Sequence, residues 1–151
     1  MDKSELLDEL RLEVGAVPDY ARTLHDFYKG IVEKLVSRMN DRFTVCLYET
    51  TNRAFVLKVS AGREIDKKYV PFGEGALSLA AIRGEILYLR NPEIQSLYIP
   101  FYFGHHLLGQ LVFQAPLELY ELTEDDFVFV KEISKFIEVQ YKRYLLNERN
   151  L

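Results

Sequence analysis

The chain has 151 residues, of which 48% are hydrophobic, so it is long enough to fold as one domain whose core needs no covalent cross-link. Its formal net charge of -4 argues against a nucleic-acid partner, and its one cysteine, Cys46, excludes an intramolecular disulfide and a cysteine-based metal site. No segment has the apolar pattern of a signal peptide or a membrane span, and we therefore expect a cytoplasmic protein with no membrane partner.

Two helices are predicted at the N terminus. A short amphipathic helix covers residues 4–14 and ends at residues 15–18. Its apolar positions are Leu6, Leu7, Leu10 and Val14. A longer helix covers about residues 19–39 and ends at residues 40–41. Its apolar stripe consists of Tyr20, Leu24, Phe27, Ile31 and Leu35.

The middle of the chain changes to the pattern of strands. Residues 43–49 and 54–61 are rich in aromatic and β-branched side chains, and the polar turn between them predicts a hairpin. A short strand follows near residues 69–72, and then a small helix over about residues 76–83. Because nearly all residues of this helix are apolar, we expect it to be packed rather than laid on the surface, with Gly84 as its C-cap.

A second hairpin is predicted in the C-terminal half. A strand over residues 85–89 precedes it, and its two arms cover residues 96–103 and 107–115 across a turn at residues 104–106. Pro100 lies inside the first arm. Since proline cannot donate a ladder hydrogen bond, it indicates a sheet edge or a bulge there.

The last helix begins at Thr123, which can cap the free amides, and the acidic residues after it complement the helix dipole. The pattern continues for about 25 residues, longer than most helices. Its apolar side consists of Phe127, Val130, Ile133, Ile137, Tyr141 and Tyr144. A single small sheet cannot cover such a length, so we expect the excess to need another partner.

Together these elements predict an α+β fold, in which helices at both termini flank a central antiparallel sheet of about six strands. Within it, we expect residues 1–18 to form an N-terminal helical extension and residues 19–151 to form the domain itself.

Three stretches, taken in order, resemble the GAF family. They are the first hairpin with Gly62 after it, VPFGEGA at residues 70–76 with GEILYL at residues 84–89, and SLYIP at residues 96–100 with LGQLVF at residues 108–113. The sequence LTEDD at residues 122–126, followed by an apolar helix, also matches. The resemblance covers about residues 20–145 and implies the PAS-like sheet that GAF domains share, here as a stand-alone signalling module.

The resemblance implies several functions, because GAF domains bind small molecules, dimerise or, in the free methionine-(R)-sulfoxide reductases, catalyse. In those enzymes one cysteine follows the Gly-x-Gly and others precede the serine-to-proline strand. Here residues 75–78 and 90–95 contain no cysteine, and Cys46, in mid-strand, is typical of a packing residue. We expect a non-enzymatic sensory or regulatory module. A reductase of this type and a purely structural dimerisation domain with a filled pocket are the alternatives.

We expect no cofactor and no metal. The scattered Asn-Lys-Phe-Asp-Glu signature of the cyclic-nucleotide-binding subgroup is not found, and the attachment cysteine of the bilin-binding subgroup is absent. Haem needs an axial ligand, usually a histidine. His25 lies in a predicted helix, while His105 and His106 lie in a turn, where histidines are usually solvated.

The resemblance places a pocket between the sheet and the small helix. The candidate ligand-binding residues are Tyr48, Phe72, Leu77, Tyr88 and Tyr98, and the alternative is that these side chains simply fill the space. Ligand-binding GAF domains often have a longer segment, with a helix or lid, where this chain has only residues 90–95. The short segment predicts a small or open pocket.

In the family, the first and last helices often pack side by side and join a second subunit. The aromatic stripe of the last helix and the apolar face of the first helix favour a symmetric homodimer through the terminal helices. Packing of these helices within one chain is the alternative.

Overall fold

A computed structural model describes residues 2–39, 42–63, 65 and 67–149 of the protein. Residues 40–41, where the end of the second helix is predicted, lie outside the described residues. The helices of the described chain are α1 (Lys3–Gly15), α2 (Val17–Tyr20), α3 (Leu24–Ser37), α4 (Gly75–Arg83) and α5 (Glu124–Arg149). Its strands are β1 (Thr44–Thr50), β2 (Ala54–Gly62), β3 (Tyr69–Pro71), β4 (Leu87–Arg90), β5 (Ile94–Phe103) and β6 (His106–Pro116).

The helix predicted over residues 19–39 is wrong in its first part, because the chain forms α2 and α3 there with three residues between them. The break follows from Thr23, whose side-chain oxygen accepts the amide hydrogen of Asp26 at 3.0 Å and so begins a new helix. Pro18 lies in the first turn of α2, where its missing N–H costs nothing. Tyr20 is exposed and does not belong to the buried stripe.

The strands form one antiparallel sheet in the order β3-β2-β1-β6-β5-β4, which confirms the α+β plan and both predicted hairpins. β4 pairs with β5 only as far as Leu87 and Tyr98, so the later part of β5 has no neighbouring strand on that side within the described chain. Pro100 lies on this free edge, next to an irregularity between Phe101 and Tyr102, as its position in the sequence predicts.

The two faces of the sheet are covered differently. Leu47 and Leu111 pair across β1 and β6 and lie in the main core, which α1, α3 and α5 complete. One residue along each strand, Cys46 pairs with Val112, and Val112 pairs with Tyr98 on β5. These three belong to a smaller apolar cluster on the face that carries α4. Alternation along the strands therefore separates a large core from a second layer with a single helix.

α4 packs on one side only, so the prediction that it is packed is wrong for its outer side. Leu77, Ser78 and Ala80 are buried, whereas Ile82 is 81% exposed. A helix that lies on a sheet buries one stripe, and no further layer of the described chain covers the other. Gly84 ends α4 in the left-handed conformation at φ 66°, as predicted.

The apolar side of α5 packs within its own chain. Val130, Ile133 and Ile137 are buried in the main core, and the hydroxyl of Tyr144 donates to the carbonyl oxygen of Ala21 at 2.6 Å. The expectation that the length of this helix needs another partner is therefore wrong for this side, because α1 and α3 cover what the sheet leaves free.

α1 takes part in the same core. Leu7, Leu10 and Val14 are each at most 3% exposed, and the helix contacts both α3 and α5. The division of the chain at residue 18 stays a prediction.

Candidate ligand-binding site

A cavity of about 380 Å³ lies on the face of the sheet that carries α4, beside the N-terminal end of this helix. Three of the five predicted residues, Tyr48, Leu77 and Tyr98, line it. Tyr48 and Tyr98 come from β1 and β5, while Leu77 comes from the first turn of α4. The structure thus brings these three side chains together from three separate segments, as the sequence predicts.

Phe72 and Tyr88 do not line the cavity. The ring of Phe72 packs edge-on against Phe55, with centroids 5.0 Å apart, and is 43% exposed. Tyr88 pairs with Leu97, a residue of the main core, and its ring contacts Phe127 of α5 at 5.7 Å. Tyr88 therefore lies on the opposite face of the sheet. On β4 the residue that pairs with Tyr98 is Leu87, next to Tyr88. The prediction therefore assigned the wrong one of the two alternating sets of side chains on this strand to the pocket.

Sequence analysis missed several residues that line the cavity: Ile65, Lys67, Val70, Ala76, Val112 and Gln114. Val112 and Gln114 are two apart on β6, and Val112 pairs with Tyr98, so strand alternation would have predicted both. Ile65 and Lys67 belong to the connection between β2 and β3, where the sequence has no periodic pattern to indicate direction.

Hydrogen bonds fix the phenols of the cavity. The Tyr48 hydroxyl donates to the carbonyl oxygen of Lys67 at 2.6 Å, and burial raises the pKa of Tyr48 well above its usual range. Burial also raises the pKa of Tyr98, against the opposite effect of its hydrogen bonds with Ser96 and Gln114. Both phenols therefore stay protonated at neutral pH and present hydroxyl groups to whatever occupies the cavity.

Two further hydrogen bonds hold α4 in place beside the cavity. Gln110 is fully buried, and its side-chain nitrogen donates to the carbonyl oxygen of Leu77 at 2.6 Å. The hydroxyl of Ser78 accepts the amide hydrogen of Gly73 at 2.9 Å. Glu74 is the N-cap of α4, but its side chain makes no capping hydrogen bond, so the first amides of the helix are left for other partners beside the cavity.

Cys46 forms part of the same cluster but has the properties of a packing residue. It is fully buried, and burial raises the pKa of its thiol to about 12. Because the thiolate is the nucleophilic form, the thiol is inert at neutral pH.

The structure gives no sign of a metal centre among the residues that it describes, because they contain no group of three metal-ligating side chains. His25 is exposed on α3, and His105 and His106 are exposed at the turn between β5 and β6.

The segment between β4 and β5 is short, as predicted. Three residues join the strands, and the side chain of Asn91 accepts the amide hydrogens of Glu93 and Ile94 at 2.8 Å each. This turn contributes nothing to the cavity wall, which near α4 comes from Ile65 and Lys67 instead.

No protein-family model and no curated protein matches the sequence. Among solved structures, the GAF domain of the phosphoenolpyruvate-protein phosphotransferase from Acinetobacter superposes with a TM-score of 0.75 at 21% identity, over 97% of this chain and 99% of that one. The GAF domain of the corresponding protein from Coxiella burnetii gives 0.73 at 22% identity, over 96% and 95%. The chain has a GAF fold.

An enzyme shares this GAF fold. The free methionine-R-sulfoxide reductase from Neisseria meningitidis, solved in complex with its substrate, gives a TM-score of 0.81 at 19% identity, over 100% of this chain and 95% of that one. Since one fold serves both kinds of protein, function must be argued from the residues of the site. Among the described residues, no helix combines the length and apolarity needed to cross a membrane.

Proposed function

We propose that this GAF domain is a non-enzymatic, cytoplasmic sensory or regulatory module that binds a small metabolite in the cavity beside α4 and forms a homodimer through its terminal helices. The observation that carries the binding proposal is the cavity itself. Its volume of about 380 Å³ lies in the usual range for small-molecule sites. Apolar walls with a few fixed polar groups are also typical of such sites.

The lining favours a ligand that combines apolar surface with polar groups. Val70, Leu77 and Val112 supply the apolar wall, and the phenol of Tyr98 and the amide of Gln114 lie among them. The side-chain nitrogen of Gln114 already donates to the hydroxyl of Ser96 at 3.3 Å, and a ligand would pair with the donors and acceptors that Tyr98 and Gln114 have left.

The main alternative is a reductase of the free methionine-(R)-sulfoxide type, and the state of Cys46 argues against it. That chemistry needs an accessible thiolate and a second thiol to resolve the product. The chain has one cysteine, and burial keeps its thiol protonated. We expect no loss of free methionine-(R)-sulfoxide when the protein is incubated with it and dithiothreitol. Turnover that Cys46→Ser abolishes would establish the reductase instead.

Ligand binding is tested by thermal unfolding against a panel of free amino acids, methionine sulfoxide, nucleotides, cyclic nucleotides and small carboxylic acids. A compound present at about 100 times its Kd stabilises the native state by about 2.7 kcal/mol, which for a chain of this size raises Tm by roughly 5–10 °C. We expect such a shift with at least one compound.

Two variants on α4 locate the binding. Ala76 lines the cavity, so Ala76→Phe fills it and should remove the shift. Ile82 is exposed on the same helix outside the cavity, so Ile82→Phe should keep the shift. A shift that persists in Ala76→Phe would place the site elsewhere. The absence of any shift would favour the third possibility, a structural dimerisation domain.

The dimer proposal is supported by apolar side chains on the outer sides of the terminal helices. Leu12 of α1 is 76% exposed and Leu146 of α5 is 58% exposed. Sedimentation equilibrium at micromolar concentration should give twice the mass of the chain. A monomer at high concentration would contradict the proposal.

A further inference from the structure

The second half of β5 is an open edge of the sheet with no charged side chain of its own. β4 pairs with β5 no further than Tyr98, so residues 99–103 have no neighbouring strand on that side within the described chain. Their sequence, IPFYF, is apolar and aromatic, and an uncharged open edge of this kind tends to pair with another chain. By contrast, the open part of β2, beyond its pairing with β3, includes Lys58. The edge of β5 therefore needs another form of protection.

Two residues of this open stretch have backbone groups that face outward. The amide of Tyr102 faces outward, because a side chain of α5 binds it from that side. Backbone groups alternate between the two sides of a strand, so Pro100, two residues earlier, faces the same way. Proline has no N–H. The Tyr102 amide is thus the only backbone donor that residues 99–103 offer to an added strand.

Glu138 of α5 occupies this one donor. Its carboxylate accepts the amide hydrogen of Tyr102 at 2.7 Å, where the carbonyl oxygen of an added strand would otherwise lie. α5 packs along β5, and its buried residues Ile133 and Ile137 hold it in the main core beside this edge. A hydrogen bond to an ionised acceptor is stronger than one to a neutral carbonyl. A strand that displaced Glu138 would therefore gain less from this donor than the chain loses.

Three other charged residues line the groove of about 430 Å³ between α5, the open edge and residues 84–86. They are Lys131, Lys135 and Glu85, and all three are exposed. The ammonium groups cannot accept an amide hydrogen. Glu85 makes no hydrogen bond to the edge within the described part of the chain. Glu138 is therefore the side chain of this groove that closes the edge.

We propose that Glu138 is an edge cap, an autoinhibitory contact that keeps β5 of a second copy of this chain from adding antiparallel to the open edge of β5. In such a pair the Tyr102 amide of each copy would donate to a backbone carbonyl of the other. The cap of each copy removes one of these two donors, so neither bond forms. This edge contact differs from the proposed dimer through the terminal helices and does not depend on it.

Amide hydrogen exchange of Tyr102, followed by NMR at low protein concentration, tests the cap. Glu138→Leu should speed exchange at Tyr102 by about tenfold or more, because one charge-assisted hydrogen bond is lost. Glu138→Gln keeps an acceptor oxygen and should retain most of the protection. Glu85→Leu places the same apolar side chain in the same groove and is the matched control, which should change nothing. Unchanged exchange in Glu138→Leu would show that another contact protects the amide, and the cap would be overturned.

Sedimentation equilibrium at high protein concentration tests the consequence, in about 0.3 M salt so that repulsion between the lysines of two copies is screened. The mass of Glu138→Leu should exceed that of the wild type. It doubles if the wild type is a monomer, and chains of dimers form if the wild type is a dimer, because a second two-fold contact links them. The Tyr102 amide should regain protection at this concentration. Circular dichroism checks that Glu138→Leu is folded, and Glu138→Ala takes its place if it is not.

The double variant Pro100→Ala/Glu138→Leu has two free donors on this edge and should associate at a lower concentration than Glu138→Leu. A Glu138→Leu protein that keeps the wild-type mass at every concentration would overturn the autoinhibition. An equal increase of mass in Glu85→Leu would also overturn it, because an added apolar side chain would then explain the association. The mass of the wild-type protein reports on the proposed homodimer alone.

Discussion

Gly109 marks a very close approach between two strands of the sheet. It pairs with Glu49 of β1, and a Cβ at this position would lie 2.1 Å from the carbonyl oxygen of Tyr48 and 2.9 Å from the ring of Phe101. The backbone oxygen cannot move without breaking the ladder between β1 and β6. Glycine is therefore required here for space, although the position has no positive φ.

We predict that Gly109→Ala destabilises the protein by about 1–3 kcal/mol, the usual cost of overpacking a core. Urea unfolding followed by circular dichroism measures it. Gly15→Ala is the matched control, because no atom lies within 4 Å of a Cβ there and the residue is in α1. The control should stabilise the helix by about 0.5–1 kcal/mol. Equal midpoints for the two variants would contradict the prediction.

At the scale of single residues, the sequence predicts which side chains are apolar better than it predicts which way they point. Tyr48 and Tyr98 line the cavity as expected, whereas Tyr88 faces α5. β4 has only four residues, so its sequence pattern is too short to predict which side chains face the cavity. A shift of the pattern by one residue turns every side chain to the other face of the sheet. Lys67 could not be predicted at all, since its position depends on the hydrogen bond from Tyr48.

The elements at the two ends of the chain are joined by one buried carboxylate. Asp126, in the first turn of α5, accepts hydrogen bonds from the hydroxyl of Tyr120 at 2.5 Å, the amide of Thr123 at 2.8 Å and the ammonium of Lys3 at 2.8 Å. Lys3 also donates to the carbonyl oxygen of Glu121 at 2.6 Å and lies over the Tyr120 ring. The start of α1 is thus fixed to the start of α5.

A double-mutant cycle on Lys3 and Asp126 measures this connection. We predict that Lys3→Met and Asp126→Asn each lower the free energy of unfolding by about 1–3 kcal/mol, because each leaves a largely buried polar group without its charged partner. The loss in the double variant should be smaller than the sum by about 1 kcal/mol. Lys29→Met, which removes an exposed pair on α3, should cost at most about 0.5 kcal/mol. Additive losses at Lys3 and Asp126 would show that the two side chains act independently.

At the scale of elements, periodicity predicted the strands and the long helix well, because each buries one regular face. The exception is the break before α3. The stripe from Leu24 onward continues the spacing of Tyr20, and periodicity alone joins them, but the capping hydrogen bond of Thr23 ends that continuity. The outer side of α4 is the other exception. An apolar composition predicts burial, while the number of layers that cover the helix is a property of the whole fold.

The whole molecule buries many groups that ionise at alkaline pH. Burial raises the pKa of the Cys46 thiol to about 12, from 9.0 in an unfolded chain. Burial likewise raises the pKa values of Tyr28, Tyr48 and Tyr120 above the unfolded value of 10.0. For Tyr120 the nearby carboxylate of Asp126 adds to the effect of burial. These groups lie in both layers of the fold, so their ionisation acts on the stability of the molecule as a whole.

We predict that the ionisation of these groups leaves the free energy of unfolding nearly constant below pH 9 and lowers it steadily above pH 9. Well below pH 9 both the native and the unfolded state keep these protons. Between pH 9 and 12 the unfolded state releases the thiol proton and, above pH 10, the phenol protons, while the native state retains them. Because the native state then binds more protons than the unfolded state, the free energy of unfolding decreases as pH rises. Urea midpoints at pH 8, 9, 10 and 11 measure the trend.

Variants separate the contributions of single groups to this alkaline instability. Cys46→Ser should reduce the loss of stability between pH 9 and 10, where the thiol is the first of these groups to ionise in the unfolded chain. Tyr120→Phe should reduce the loss above pH 10, although it also removes the hydrogen bond to Asp126 and lowers stability at every pH. Ile82→Ala, at an exposed position with no titratable group, should leave the slope unchanged. A urea midpoint that stays constant up to pH 11 would mean that these side chains reach solvent in the native state. Both layers would then be packed less tightly than the structure shows.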